Sequence, residues 1–308
     1  MNWRLKSALF RLAAALPYAD ALDRRRRTRG RAALSVDISL HLTPALKMLR
    51  RLAELRGFAP AGRVALEIGA GWNPVYGVLL SLLGAQRVIL LDIQPYLTFA
   101  GVRHVLRQIE PKLPEIAAAT GAAEADLRAR WRPLAAAPDF ASQLAAGRIE
   151  FFAPAPASAA PLADGTVDLF FSTCVLEHIP EADLRGVHRE TRRLLKPGGL
   201  VYHIVDLSDH FAHGDPSLPR LNFLRYDDRA WARLGQNRLF HLNRLRAVEM
   251  KRLLDEAGLG VIFVEAQTDP ADVEFVRGLA LPPRFRGLTP EEIAAHLCHL
   301  VAEKRSVR

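Results

Sequence analysis

The stretch V-A-L-E-I-G-A-G-W-N-P, Val64 to Pro74, decides the fold. Val64–Ile68 is a short aliphatic run with one carboxylate, Glu67, near its end, and it reads as a buried strand. Gly69-Ala70-Gly71 then lets the backbone turn sharply and approach a ligand with no Cβ in the way. Asn73 suits an N-cap and Pro74 a first helical position, so the spacing predicts a helix starting there. A strand, a glycine turn and a helix N-terminus together form a site for an anionic group, held by free backbone N–H groups.

Outward from this turn, Arg87–Leu91 reads as a second strand ending at Asp92. That carboxylate falls about 20 residues past the glycines, where a ribose diol is usually gripped. A dinucleotide fold requires a third glycine where this chain has Pro74, so the turn suits a small carboxylate better than a pyrophosphate. Glu67-x-Gly69-x-Gly71 with Asp92 resembles the class I S-adenosylmethionine-dependent methyltransferases. The resemblance implies that Glu67, Gly69, Ala70, Gly71 and Asn73 hold the methionine end, and that Asp92 with Ile93 holds the ribose side. Many relatives carry an acid near position 156 that binds the adenine amino group. Here the residue is Pro156, so backbone atoms near Ala157 are expected to take over that contact.

The chain has 308 residues, half of them hydrophobic and a quarter charged, an ordinary globular mix. Its net charge of +9 fits either an anionic partner or a general arginine bias, and charge alone does not separate the two. The two cysteines, Cys174 and Cys298, are far apart and form no disulfide or metal framework, which fits a reducing cytoplasm. No apolar run approaches the ~20 residues that span a bilayer. Arg11 interrupts the early apolar run and argues against a signal peptide.

Residues 3–16 have helical periodicity, with Leu5, Leu9, Leu12 and Leu16 on one stripe and Trp3 and Phe10 on its flank. The favoured reading is a lid whose stripe packs on its own domain. The other is peripheral contact with an anionic inner-membrane surface. Arg24–Arg27, continued by Arg29 and Arg31, reads as a solvated connector. Further helices are expected from Pro44 to Arg56 and from Tyr96 to Glu110, with an inserted helical pair over 111–147. Strands are expected at Ile149–Phe152, Val167–Ser172 and Leu200–Asp206, with a helix over 181–195 between the last two. Residues 207–242 read as a lid over the acceptor site. Asn243 is expected to cap a helix ending at Gly258, before strands at Val261–Ala266 and near Ala295–Val301. The alternation predicts an α/β fold, a doubly wound, mostly parallel seven-stranded Rossmann-like sheet. Residues 1–60 form an N-terminal extension and 61–308 the cofactor-binding domain, with insertions at 99–147 and 207–242.

A second block, D-G-T-V-D-L-F-F-S-T-C-V-L-E-H-I-P over Asp164–Pro180, followed by L-L-K-P-G-G-L, carries the rest of the resemblance. It resembles the fourth and fifth strand regions of small-molecule methyltransferases acting on sugars, quinones and similar hydroxyls. D-L-S-D-H-F, L-N-F-L-R-Y and N-R-L-R beyond it resemble methyltransferases of bacterial polysaccharide and glycolipid synthesis. Ser172 and Thr173 are then expected to border the cofactor's methionine end. In enzymes of that type, the His of the E-H-I-P-like motif and an Asp after the fifth strand are candidates for the base, here His178 and Asp206. His210 and His213 stand behind them. No third ligand has suitable spacing to make that pair a metal site, so no metal is expected. His203, inside a strand, reads as a core residue.

The resemblance implies methyl transfer to a small-molecule acceptor, a hydroxyl of a sugar, glycolipid or polysaccharide precursor. The alternatives are a quinone or lipid C- or O-methyltransferase, or a methyltransferase-fold subunit without activity. Amino-methylation of nucleobases needs an Asn/Asp-Pro-Pro-aromatic tetrapeptide where Ser172-Thr173-Cys174-Val175 stands, so no nucleic acid partner is expected. A nicotinamide dehydrogenase is opposed by Pro74 and by the lack of a Tyr-x-x-x-Lys pair near the fourth or fifth strand.

Overall fold

A computed structural model describes residues 3–19, 21, 22, 25, 37–237 and 239–305. In chain order the elements are α1 (Trp3–Ala14), α2 (Ser39–Arg56), β1 (Val64–Ile68), α3 (Val75–Leu82), β2 (Arg87–Leu91) and α4 (Phe99–Ile109). Next come α5 (Leu113–Thr120), α6 (Glu124–Ala136), α7 (Phe140–Ala146), β3 (Ile149–Phe152), β4 (Val167–Thr173), α8 (Glu181–Leu194) and β5 (Leu195–Asp206). The chain closes with α9 (Asp228–Leu234), α10 (Ala247–Glu256), β6 (Leu259–Gln267), α11 (Pro270–Arg277), α12 (Pro290–Ala294) and β7 (Leu297–Lys304).

The strands form one seven-stranded sheet in the order β3-β2-β1-β4-β5-β7-β6. The order reverses between β1 and β4, the position at which open α/β sheets take their ligands. β1 pairs with β2 and β2 with β3 in parallel, as expected. β6 and β7 instead form an antiparallel pair, so the sheet is mixed. The reason lies in the connection: β6 leads into β7 through α11 and α12 without the crossover that a parallel pairing needs.

The chain divides into two compact units. One, the glycine-turn unit, comprises 22–171 and 193–200. The other, the histidine unit, comprises 1–21, 172–192 and 201–308. Residues 1–60 are thus shared between them, α1 in the histidine unit and α2 in the glycine-turn unit.

In the glycine-turn unit every residue of β1 is buried, which explains its unbroken apolar run. Asp168 closes the start of the strands. It accepts from the Val64 N–H at 2.9 Å and pairs with Arg63 at 3.2 Å and Lys196 at 2.6 Å. α2 starts five residues earlier than expected and carries Pro44 inside it. Gly57 ends it in a left-handed conformation, φ 60°. α4 starts at Phe99 because Thr98 caps it, accepting from the Gly101 N–H. The segment 111–147 holds three helices, α5 to α7, in place of the expected pair, and Asp139 caps the third.

In the histidine unit, Trp3, Phe211, Phe223, Trp231, Leu242 and Phe285 belong to one buried core. The aromatic residues of 207–242 are therefore largely internal. α1 packs by its other face than expected. Trp3, Ser7 and Ala14 are buried, with Trp3 5.3 Å from the Phe211 ring, while Leu5, Leu9, Leu12 and Leu16 are exposed. The large ring at Trp3 has a pocket to fill, which sets the helix rotation, and the leucine stripe turns outward. The expected connector Arg24–Arg27, with Arg29 and Arg31, lies outside the described residues except for Arg25. α10 begins at Ala247, not after Asn243, because Asn243 is used elsewhere. No helix among the described residues is long and apolar enough to cross a membrane.

Candidate active site

The glycine-turn unit builds one group of candidate residues. Gly69 and Gly71 have φ of 71° and 61°, a region that costs any other L-residue energy. The Gly69 N–H donates to Leu91 O at 2.8 Å, tying the turn to the end of β2. Asp92 follows there and is buried. Its Oδ2 accepts from the Gly71 N–H and its Oδ1 from the Gln94 N–H, both at 2.8 Å. The carboxylate therefore shapes the turn as well as facing a ligand. Burial raises the Asp92 pKa, and the backbone N–H donors offset part of that rise.

Asn73 does not cap α3. Pro74 occupies the cap with no side-chain bond, and the Asn73 Oδ1 and Nδ2 atoms are buried without partners. The close helix-to-strand approach that a third glycine gives other folds falls to Gly77, where a Cβ would lie 2.9 Å from Leu90. Glu67 is buried with its Oε2 unpartnered. Burial, then the nearby Asp92 charge, push its pKa up to about 8. A buried acceptor and a buried amide left without partners are costly unless a ligand supplies them. An ammonium and a carboxylate on one small ligand would satisfy both, so these residues fit the methionine end of S-adenosylmethionine. Beside Asp92, Ile93 is 70% exposed, and the Ala155 N–H donates to Asp92 O at 2.9 Å. That bond brings the Pro/Ala segment containing half-buried Ala157 alongside the end of β2. Ala70 is buried within the turn.

The histidine unit builds the second group. Ser172 is buried and its Oγ bonds His203 Nδ1 at 2.7 Å, while Thr173 Oγ1 is buried without a partner. Cys174 takes a positive φ of 53°, which ends β4 abruptly and starts the turn Leu176–His178. Asn243 fixes that turn. Its Nδ2 donates to Leu176 O at 2.7 Å and Ile179 O at 2.8 Å, and its backbone N–H donates to Glu177 O at 2.9 Å. His178 lies at the surface of the turn with Nδ1 2.8 Å from His241 O. A carbonyl can only accept, so Nδ1 carries the proton and Nε2 is left as an acceptor. The ring stands edge-on to His210, with centroids 4.9 Å apart. Partial loss of water lowers the His178 pKa, helped by His210 and opposed by the His241 carbonyl and Asp206.

Asp206 ends β5. Its Oδ1 accepts from the Ser208 N–H at 2.9 Å and the Ser208 hydroxyl at 2.6 Å, and its Oδ2 lies 3.3 Å from His210 Nε2 and 3.4 Å from His213 Nε2. Burial opposes its charge, but the His210 imidazole and the Ser208 donors outweigh that and hold the carboxyl well below the usual carboxylate range. An acid so stabilised in its charged form is a poor proton acceptor and a good anchor for imidazole. The structure brings together His178, Asp206, His210 and His213, and places Glu177 beside His178 and His210. Glu177, His178 and His210 form one potential cation-binding triad and Asp206, His210 and His213 another, so the expected lack of a third ligand does not hold. Sequence spacing could not find it, because Glu177 lies 29 residues before Asp206 and reaches His210 only through the fold.

The N-R-L-R stretch does work that motif reading left unassigned. Arg246 is fully buried and donates to Ile293 O and Ala295 O at 3.0 Å and Leu207 O at 2.7 Å. Arg244 donates to Phe223 O at 3.0 Å and Tyr226 O at 2.6 Å. With Asn243 these side chains tie together the segments that carry the histidines. Two arginines and an asparagine close in sequence are the signal for such a clamp, although their carbonyl partners are not readable from it.

Residues 115–203 match a family model described as a methyltransferase domain, a span that covers β3 to most of β5 and leaves out the glycine turn. No curated protein sequence matches the chain. Among solved structures, a SAM-dependent methyltransferase from Methanosarcina mazei is 16% identical, with TM-score 0.47, covering 80% of this chain and 93% of its own. An S-adenosylmethionine-dependent methyltransferase from Mesorhizobium loti is also 16% identical, with TM-score 0.44, covering 84% and 100%. A geranyl diphosphate methyltransferase in complex with GPP and sinefungin is 14% identical, with TM-score 0.46, covering 85% and 77%. The matched domain, taken with the glycine turn, Glu67 and Asp92, makes this chain a methyltransferase whose cofactor is S-adenosylmethionine.

Proposed function

We propose that the chain methylates a hydroxyl of a small acceptor, a sugar, glycolipid or polysaccharide precursor, with His178 as general base. One observation carries this reading. The Nδ1–H bond to His241 O leaves Nε2 unprotonated on a turn held by Asn243. When bound, S-adenosylmethionine supplies an electrophilic methyl group. Glu67 and Asn73 would hold its amino-acid end at Gly69, Ala70 and Gly71. Asp92 with Ile93 would hold the ribose side, and the backbone at Ala157 the adenine. His178 would take the acceptor's proton at Nε2, and Asp206 with His210 would orient the imidazole or the acceptor. Such a base is worth about 10²–10⁴-fold in rate. Within 207–242, half-buried Tyr226 and Phe240 and exposed His213 are among the groups available to an acceptor, and this segment would serve as its lid. A screen of activated sugars, glycolipids and quinones for methyl transfer, read by mass, tests the reading. Transfer only to a quinone carbon would favour the alternative acceptor class. Cofactor binding with no transfer to any of them would favour a non-catalytic subunit.

The acceptor's setting has its own support. Among the described residues, seven of the ten exposed large hydrophobics are Leu5, Leu9, Phe10, Leu12, Leu16, Tyr18 and Leu22. Nine basic and two acidic residues fall within 1–31, so that segment holds seven of the nine net positive charges. Exposed apolar side chains on α1 and a stretch of sequence rich in basic residues fit an anionic membrane, with Trp3 anchoring the helix to its own unit. A lipid-linked acceptor would then be met at the surface where it resides. Full-length protein should sediment with phosphatidylglycerol vesicles, release in high salt, and lose binding in Leu9→Glu/Leu12→Glu. Binding that survives this double variant would discard the membrane reading.

A further inference from the structure

We propose that Asp206, His210 and His213 hold a divalent transition-metal ion, with the buried Glu177 carboxylate beside His210. Two atoms each about 2.0–2.1 Å from one zinc ion at the tetrahedral angle lie about 3.3–3.4 Å apart. The structure places His210 Nε2 at 3.3 Å and His213 Nε2 at 3.4 Å from the same Asp206 oxygen, Oδ2. Both contacts are longer than a good N–H···O bond, and His210 Nε2 is buried with no hydrogen-bond partner, while His213 Nε2 lies 2.8 Å from the Ser208 hydroxyl, a bond it would exchange for the ion. The carboxylate is also pre-aimed. Ser208 occupies Oδ1 through two donors, which turns Oδ2 toward the imidazoles. The His210 and His213 rings stack beside Asp206, 30° between planes and centroids 4.7 Å apart.

Glu177 supplies the independent observation. It is 2% exposed, and its carboxylate has no side-chain partner, only the nearby backbone N–H groups of Glu177 and Asp206. Its ligand atom lies within 4.8 Å of those of His178 and His210. A buried carboxylate with no cation beside it is among the most costly arrangements in a protein. A cation answers both the charge and the missing contacts. Mixed imidazole and carboxylate ligands select zinc and its first-row neighbours over magnesium or calcium. His178 is left out of the ligand set because its Nε2 has the proton-accepting role assigned above. Where the inference leans on that role, an ion here would bind the acceptor hydroxyl and lower its pKa beside His178. Ion binding itself depends on neither cofactor nor acceptor.

The test uses full-length protein dialysed against chelator, with zinc chloride alone as titrant in a calorimeter. Uptake of one zinc per chain is expected. Cobalt in its place should give visible absorption bands of tetrahedral nitrogen and oxygen ligation. His210→Ala should abolish the site, and Glu177→Gln should weaken it about tenfold or more, in the range seen when groups supporting a metal are removed. His213→Gln alters an exposed ring and should fold as the parent does, so its loss of zinc would not be a folding artefact. Cys174→Ser should bind as the parent does. No uptake by the parent, or zinc binding that survives both His210→Ala and His213→Gln, overturns the proposal. Neither result tests the acceptor class, which the acceptor screen reads separately.

Discussion

Around Gly69–Gly71 the ligand-facing groups are set by backbone conformation, whereas around His210 they are side chains gathered from separate stretches of chain. The first group sits within about one strand, one turn and the end of the next strand, and positive φ at two glycines does most of the shaping. The second draws Glu177 and His178 from the end of β4, Asp206, His210 and His213 from beyond β5, and support from His241 and Asn243. Backbone-made sites tolerate little change of residue type but are compact in sequence. Side-chain clusters depend on distant supports, so their geometry can be lost by mutations that touch no ligand.

The sharpest way to break this comparison is to remove the proposed base. His178→Ala should lower turnover by about 10²-fold or more and leave cofactor affinity nearly unchanged. Loss of cofactor affinity instead would mean that His178 belongs to the cofactor pocket, and full turnover would assign the base elsewhere.

Next in size is Asp92→Ala, which acts on the backbone-made group. It removes the acceptor of two internal bonds, from the Gly71 and Gln94 N–H groups, before any ribose contact is counted. Bonds to a charged acceptor are worth about 1.5–3 kcal/mol each, so cofactor affinity should fall by at least tenfold. Calorimetry with the demethylated cofactor measures it. Unchanged affinity would remove Asp92 from the site.

The supports of the second group should give a smaller and different response. Asn243→Ala leaves Leu176 O and Ile179 O without their donor, at a cost of about 1–3 kcal/mol each in stability. Because the freed turn carries His178, turnover should fall about tenfold while cofactor affinity holds. A variant that is destabilised yet keeps parental turnover would show that the turn keeps its shape without Asn243.

The same contrast explains what was legible in the sequence. The strand, the glycine turn, Glu67 and Asp92 could be read because their physics is local: run length, absence of Cβ and spacing. Asn73 failed as a cap because the helix begins one residue later than its pattern suggests, with Pro74 at the cap. Asn243 has the residue type of a cap as well, yet its side chain serves the turn at Leu176 some 67 positions earlier. The α1 stripe shows the limit of periodicity. Spacing located an apolar face correctly, but the burial of Trp3 and Ser7 decided which face turned inward. His213 and Glu177 were visible as residue types, and only the fold brings both to His210.

The smallest expected effect lies in proton linkage at Glu67. Burial and the neighbouring Asp92 raise its pKa from an ordinary 4.5 to about 8 in the folded protein. Between those values the folded chain keeps a proton that the unfolded chain has released. The unfolded state then binds fewer protons, so this residue's contribution makes stability fall as pH rises from about 4.5 to 8 and level off above. Below about 4.5 both states are protonated and the contribution is constant. Melting temperatures of ligand-free protein should therefore decline across that window more steeply than those of Glu67→Gln. An ammonium brought beside Glu67 reverses the preference by favouring the carboxylate. Binding of the demethylated cofactor near pH 7 should release up to about one proton, seen as a dependence of calorimetric heat on buffer ionisation. Glu67→Gln should release less. Proton release that is equal in parent and variant would mean that the ammonium is held by another group, and the backbone-made site would lose its one titratable ligand.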